Sequence, residues 1–136
     1  MSLGVTPNSC PCGKRLLAYA ACCGRYIDDF AGTPAPDAES LMRSRYSAFV
    51  LERADYLLAT WHISRRPLAI EFDTGARWLG LEVRQHRVLD ETHAEVEFVA
   101  RQRSPGTAAV RLHERSRFVK EGVSPGRWYY VAGDLL

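Results

Sequence analysis

The sequence predicts an α+β fold, with two helices packed on a curved antiparallel sheet behind a small cysteine-bearing segment. Two stretches with apolar residues at helical spacing come first. Four stretches alternating with period two follow, and short turns such as Ser104-Pro105-Gly106 and Ser124-Pro125-Gly126 join the later ones. Helices followed by a run of hairpin-connected strands make two layers, the helices covering one sheet face.

The chain divides into three zones. Residues 1–30 carry all four cysteines, residues 31–36 (Ala-Gly-Thr-Pro-Ala-Pro) form a linker, and residues 37–136 form the α+β domain. Asp37 follows Pro36 and is a good N-cap for a helix to about Leu51. Leu41, Met42, Tyr46, Phe49 and Val50 make its apolar stripe. A second helix is expected from Ala54 to Trp61, with Ala54, Leu57, Leu58 and Trp61 on one face, before Pro67 stops helical growth. Leu79, Leu81 and Val83 then share one face of a strand. Ala94, Val96, Phe98 and Ala100 share one face of the next, with Glu95, Glu97 and Arg101 opposite. Val110, Leu112 and Phe118 mark a long third strand whose other face carries Arg111, His113, Arg115 and Arg117. Trp128 to Val131 is the last strand.

Bulk properties narrow the function classes. The 136 residues suffice for a core without staples, and a net charge of +2 with no long basic stripe argues against nucleic-acid binding as the main role. The basic face of Arg111, Arg115 and Arg117 is expected to be neutralised by Glu95 and Glu97 on the neighbouring strand. No stretch approaches the ~20 apolar residues of a membrane span. The N-terminus (Met1 to Asn8) lacks the basic-then-apolar pattern of a secretory signal, so a cytoplasmic protein is expected.

In a reducing compartment clustered cysteines hold metal more often than disulfides. Cys10-Pro11-Cys12 and Cys22-Cys23 form two ligand pairs about a dozen residues apart. Four thiolates fill a zinc tetrahedron and leave no open position, so Cys10, Cys12, Cys22 and Cys23 are expected to hold a structural Zn2+. From Met1 to Ile27 there are no acids, whereas Lys14, Arg15 and Arg25 are present to offset thiolate charge. The competing readings are buried free thiols, a disulfide, and an iron–sulfur cluster. Adjacent Cys22 and Cys23 would close a strained ring, and the spacing fits none of the common ferredoxin patterns.

Cys10-Pro11-Cys12-Gly13 with Cys22-Cys23-Gly24 resembles the SEC-C zinc motif, named for the C-terminal tail of the SecA translocation ATPase. The typical motif places Ser-Gly after Cys-Pro-Cys-Gly and eight residues before the second pair; here Lys14 follows Gly13 and nine residues intervene. The block Ala38 to Phe49, with Asp55 to His62, Trp78 to Leu81, His113 to Phe118 and Trp128 to Tyr130, resembles the bacterial YchJ family in order along most of the chain. That resemblance implies a SEC-C segment followed by a nuclear-transport-factor-2-like (cystatin-like) cone. It also implies a zinc-binding accessory protein whose setting is chaperone, translocation or ribosome contacts, because the SecA segment makes such contacts. Arg25, Tyr26 and Ile27 beside the metal are the expected contact residues for a protein partner.

A bent sheet under helices encloses a cavity, and a small-molecule or enzymatic pocket there is the alternative function. Glu114 and Ser116 share parity with Val110, Leu112 and Phe118, so they should face inward. Arg45 lies one helical turn before Phe49, and His62 ends the second helix. One reading makes Glu114 an acid or base, with Ser116, His62 and Tyr46 orienting a ligand. The favoured reading is a buried Arg45–Glu114 ion pair that holds helix to sheet. His86 and His93 are expected at the surface beside a hairpin. No nucleophile motif, phosphate loop or dinucleotide fingerprint occurs.

Overall fold

The computed structural model describes residues 8–73 and 75–136. The N-terminal stretch read for targeting signals, and the first residues of the cysteine segment, lie outside the described residues except for Asn8. Helix α1 spans Gly24–Ile27, α2 Ala38–Val50 and α3 Ala54–Ala59. Strands β1 (Arg77–Val88), β2 (His93–Arg103), β3 (Val110–Glu121) and β4 (Arg127–Leu135) follow. The strands pair in chain order, β1-β2-β3-β4, and every pairing is antiparallel. This is the α+β meander that the alternation predicts.

Helix α2 starts where the Asp37 side chain accepts a hydrogen bond from the Ser40 amide at 2.7 Å. Its stripe of Leu41, Met42 and Tyr46 is buried against β1, β2 and β4. Helix α3 ends at Ala59, two residues earlier than the apolar spacing suggests. The chain leaves it to bond the free edge of β4: the Tyr130 amide donates to Thr60 O at 2.9 Å, and the His62 amide donates to Tyr130 O at 2.7 Å. These bonds hold the second helix against the last strand and cover part of an otherwise open edge.

The inner sheet face follows the predicted parity in β2 and β3. Ala94, Val96, Phe98 and Ala100 are buried, and they lie opposite Phe118, Ser116, Glu114 and Leu112. In β1 the alternation breaks twice. Bulges between Trp78 and Gly80, and between Val83 and Gln85, each insert one unpaired residue. The first puts Trp78 in the inner row and leaves Leu79 at 44% exposure, so Leu79 does not share the core face of Leu81 and Val83. The second carries His86 into the inner row opposite Val96. His86 is therefore not a free surface residue: its Nδ1 lies 3.8 Å from Glu39 Oε1, and its Nε2 is buried without a partner.

The outer face is a charge ladder. His113 Nε2 pairs with Glu97 at 2.7 Å, Arg115 with Glu97 at 3.5 Å, and Arg117 with Asp134 at 2.6 Å. The His113 hydrogen bond holds the Glu97 carboxyl below its usual range. Two of the three arginines of the basic face are thus matched by carboxylates. The Arg117–Asp134 pair lies at an exposed carboxylate and contributes little to stability, whereas Glu97 is half-buried between its two partners.

The cysteine segment and the α+β layers share one core. Cys10, Cys12, Cys22, Cys23, Tyr26 and Ile27 pack in the same buried cluster as Leu41, Met42, Leu57 and Phe118. The linker at 31–36 separates the two zones in sequence and not in space. Outside the four cysteines, Arg53 also ties them at the surface, its Nη1 2.9 Å from Asp28 Oδ1.

Candidate functional site

The four cysteines converge although the elements carrying them are short. Gly13 turns the chain with a left-handed φ of 74°, and single turns of 3-10 helix at Lys14–Leu16 and Tyr19–Ala21 return it toward the first pair. The Cys10 amide donates to Leu17 O at 2.8 Å, which closes the loop. Arg15 (φ 51°) and Leu16 (φ 54°) also sit in the left-handed region. Both carry the steric cost that non-glycine residues pay there.

All four thiols are buried and none is bridged. Their sulfurs lie within 4.8 Å of one another, and Cys12 Sγ is 3.6 Å from Cys22 Sγ. A tetrahedral thiolate site with bonds of about 2.3 Å has sulfur–sulfur edges of about 3.8 Å. The donor set therefore fits one metal ion. Helix α2 supports the cluster from the side: Ser47 Oγ lies 3.4 Å from Cys10 Sγ, and Arg43 Nη1 donates to Cys12 O. Arg25 Nε donates to Cys22 O at 2.9 Å. The nearby positive charge comes partly from α2, not only from the cysteine segment.

The protonation of the cluster also suits a metal. Hydrogen bonds from Cys12 and Cys23, aided by Ser47, pull the Cys10 thiol far below its ordinary range. Burial, with the charge of Cys12 and Cys10, pushes Cys22 up to about 12. Cys23 is raised as well, chiefly by donating to Cys10 and Cys12. Cys10 thus holds a thiolate easily, whereas Cys22 and Cys23 resist forming one. A cation compensates the charge and removes that resistance.

Gly24 fits because it has no side chain. A Cβ there would sit 2.8 Å from both Cε2 and the carbonyl oxygen of Tyr19. Gly24→Ala is expected to destabilise the fold by about 1–3 kcal/mol, as overpacking against backbone does. A urea midpoint equal to the wild type would show that Tyr19 moves freely aside.

The second feature is an interior cavity of about 160 Å3 between α2 and the inner sheet face. Arg45, Tyr46, Glu114 and Ser116 all line it. His62 does not. The expectation that it faces a pocket is corrected by its pairing with Glu121 Oε1 (2.9 Å) and Ser64 Oγ (2.7 Å). Trp61 takes the inward position because the two residues alternate along the bridge to Tyr130.

The expected Arg45–Glu114 ion pair does not form within 4.0 Å. Arg45 Nη1 instead donates to Leu57 O (2.8 Å) and Thr60 Oγ1 (2.6 Å), which caps the end of α3. Its guanidinium lies over the rings of Trp61 and Tyr130, with centroids at 5.0 and 4.6 Å. Burial pulls Arg45 down to about 10, which leaves it charged at neutral pH. Glu114 takes its hydrogen bond from Ser116 Oγ at 2.5 Å. Its carboxylate occupies the space where a Cβ on Gly133 would stand, so the missing side chain in β4 seats it.

With fold and site described, the chain can be set beside known proteins. The family profile described as "YchJ, middle NTF2-like domain" matches residues 37–133. The chain belongs to the YchJ family. A UPF0225 protein of Polaromonas sp. (strain JS666) is 75% identical over 130 residues, covering 92% of this chain and 91% of the relative. A UPF0225 protein of Bordetella parapertussis is 56% identical over 131 residues, with 96% and 95% covered. The crystal structure of a SEC-C motif containing protein from Psychrobacter arcticus superposes with TM-score 0.78 at 32% identity, covering 93% of this chain and 81% of that one. The solution structure of a SEC-C motif containing protein from Rhodopseudomonas palustris gives 0.77 at 34%, with 94% and 98% covered.

In this YchJ-family chain, sequence reasoning missed Arg43, Ser47, Trp78 and Tyr130. Arg43 and Ser47 are one helical turn apart, on the α2 face that meets the cysteines, and a polar pair at i, i+4 beside an apolar stripe was the available signal. Trp78 owes its place on the cavity wall to a bulge, which no residue pattern in β1 announces.

Proposed function

We propose that this YchJ-family chain is a zinc-stapled accessory protein. Cys10, Cys12, Cys22 and Cys23 hold one structural Zn2+, and the segment around it docks a protein partner in the cytoplasm, in the setting of chaperone, translocation or ribosome contacts. The observation that carries the reading is the convergence of four buried, unbridged sulfurs within 4.8 Å. A four-thiolate site is closed, so the metal serves the fold and not a reaction. The docking rim differs from the sequence expectation. Tyr26 and Ile27 are 6% and 3% exposed and belong to the core, whereas Arg15, Leu16, Leu17 and Arg25 are exposed beside the cluster. These are the side chains a partner would meet.

Two measurements test the two halves of the reading. Metal content by mass spectrometry on untagged protein is expected to give about one zinc per chain, with four thiols becoming reactive after chelation. A metal-free chain with four freely reactive thiols would end the zinc assignment. In pull-downs, a partner retained by wild type is expected to be lost by the Cys22→Ser, Cys23→Ser double variant. Equal retention by both proteins would end the docking assignment while leaving the metal intact.

A further inference from the structure

We infer that the cavity of the α+β cone binds a small aromatic acid that carries a hydroxyl or amino group besides its carboxylate. The argument is independent of the metal. The cavity has about 160 Å3, close to the volume at which an apolar cavity accommodates a benzene-sized guest. Its walls are mainly apolar and aromatic, including Phe49, Trp78, Phe98 and Leu112. Such walls, with a few convergent polar groups, are the usual makeup of a small-molecule site.

Two charged groups interrupt those walls, and they leave each other unpaired. Arg45 is 4% exposed and has no carboxylate within 4.0 Å. Among the described residues only its Nη1 donates, to Leu57 O and Thr60 Oγ1, and Nε and Nη2 find no acceptor. Glu114 accepts from Ser116 through Oε2, and its Oε1 finds no donor among the described residues. A buried cation held off its nearest interior carboxylate is costly to the fold, so an ion pair would be the better arrangement for stability alone. The geometry prevents that pair: Arg45 is anchored to α3 and stacked on Trp61 and Tyr130, and Glu114 is seated over Gly133. The result is a largely apolar cavity whose wall carries both an anion-binding guanidinium and a carboxylate that accepts a donor. A flat ligand with a carboxylate for the Arg45 fork and a hydroxyl or amine for Glu114 satisfies both groups and fills the apolar space.

The test uses the full, metal-loaded chain and four probes at millimolar concentration: para-hydroxybenzoate, benzoate, phenol and toluene. Binding is read from tryptophan indole and methyl shifts in NMR spectra. Para-hydroxybenzoate is expected to bind most tightly, benzoate and phenol about tenfold more weakly, and toluene weakest, since a site built to hydrogen-bond a group rejects the analogue lacking it. Glu114→Gln keeps the shape of the side chain and is expected to weaken para-hydroxybenzoate about tenfold while leaving benzoate nearly unchanged. Arg45→Lys is expected to weaken both acids and to spare phenol, and circular dichroism establishes that each variant is folded. Toluene binding as tightly as para-hydroxybenzoate would overturn the inference. So would equal affinities in wild type and Glu114→Gln, or the absence of shifts from every probe with folded wild type.

Discussion

Removing the proposed Zn2+ is expected to cost the whole fold stability, not only the cysteine segment. The four cysteines lie in the same buried cluster as Leu41, Leu57 and Phe118, and Cys10 rests on Ser47 of α2. Chelation, or Cys12→Ser, leaves buried thiols competing for protons beneath the helix that roofs the cavity. A loss of about 3 kcal/mol or more is expected, because binding free energy at a structural site is folding free energy. The direction with pH follows. The metal-bound fold holds its cysteines as thiolates, whereas unfolded cysteines titrate near 8.5, so the unfolded state binds more protons below that value. Stability of the metal-loaded chain therefore falls as pH falls, and acid releases the metal. Thermal unfolding followed by circular dichroism, with and without chelator across a pH series, checks both claims. If chelator leaves the midpoint unchanged for protein shown to carry metal, the cysteine segment is an independent appendage and the shared core is not energetically coupled.

Phe118→Ala is expected to be the most damaging single truncation in the sheet. Phe118 is 2% exposed, lies opposite Ala94 on one side and Tyr130 on the other, and meets the Tyr130 ring edge-on at 5.8 Å. Ala94 on one side is too small to close the gap, and the Tyr130 ring on the other loses its partner. A loss of about 3–5 kcal/mol is expected, from transfer and cavity terms together. Leu68→Ala serves as the contrast: Leu68 is fully exposed, and its change should stay within about 0.5 kcal/mol. Urea unfolding of both variants decides the matter. A Phe118→Ala loss no larger than that of Leu68→Ala would mean that the inner face is not a tightly packed core.

Several features of the fold were readable from local pattern. Asp37 before Ala38 marks the start of α2 because a carboxylate can satisfy the free amide of Ser40 at that offset. The parity of β2 and β3 is regular, so Phe98, Glu114 and Ser116 were assigned to the inner face from spacing alone, and that is the face they occupy. The exceptions share one physical origin. A bulge costs one unpaired residue and shifts every side chain after it, so Leu79 and His86 changed faces without any change in composition. His62 turns away from the cavity because hydrogen bonds to Tyr130, made across the chain, set which side chain faces inward, and Trp61 keeps the apolar side its spacing predicts.

By itself, the sequence determined the elements, their order, the inner row of the middle strands and the identity of the four clustered thiols. Those depend on periods of two and 3.6 residues, on capping chemistry and on cysteine spacing, all of which act within a dozen residues. Only the tertiary structure decided that the four thiols converge in the shared core, that Arg45 bonds to α3 instead of Glu114, and that Gly133 seats the Glu114 carboxylate. Each of these is a contact between segments far apart in the chain. Which polar partner a buried charge finds is set by packing geometry, where several candidates lie within reach and a difference of about an ångström selects among them.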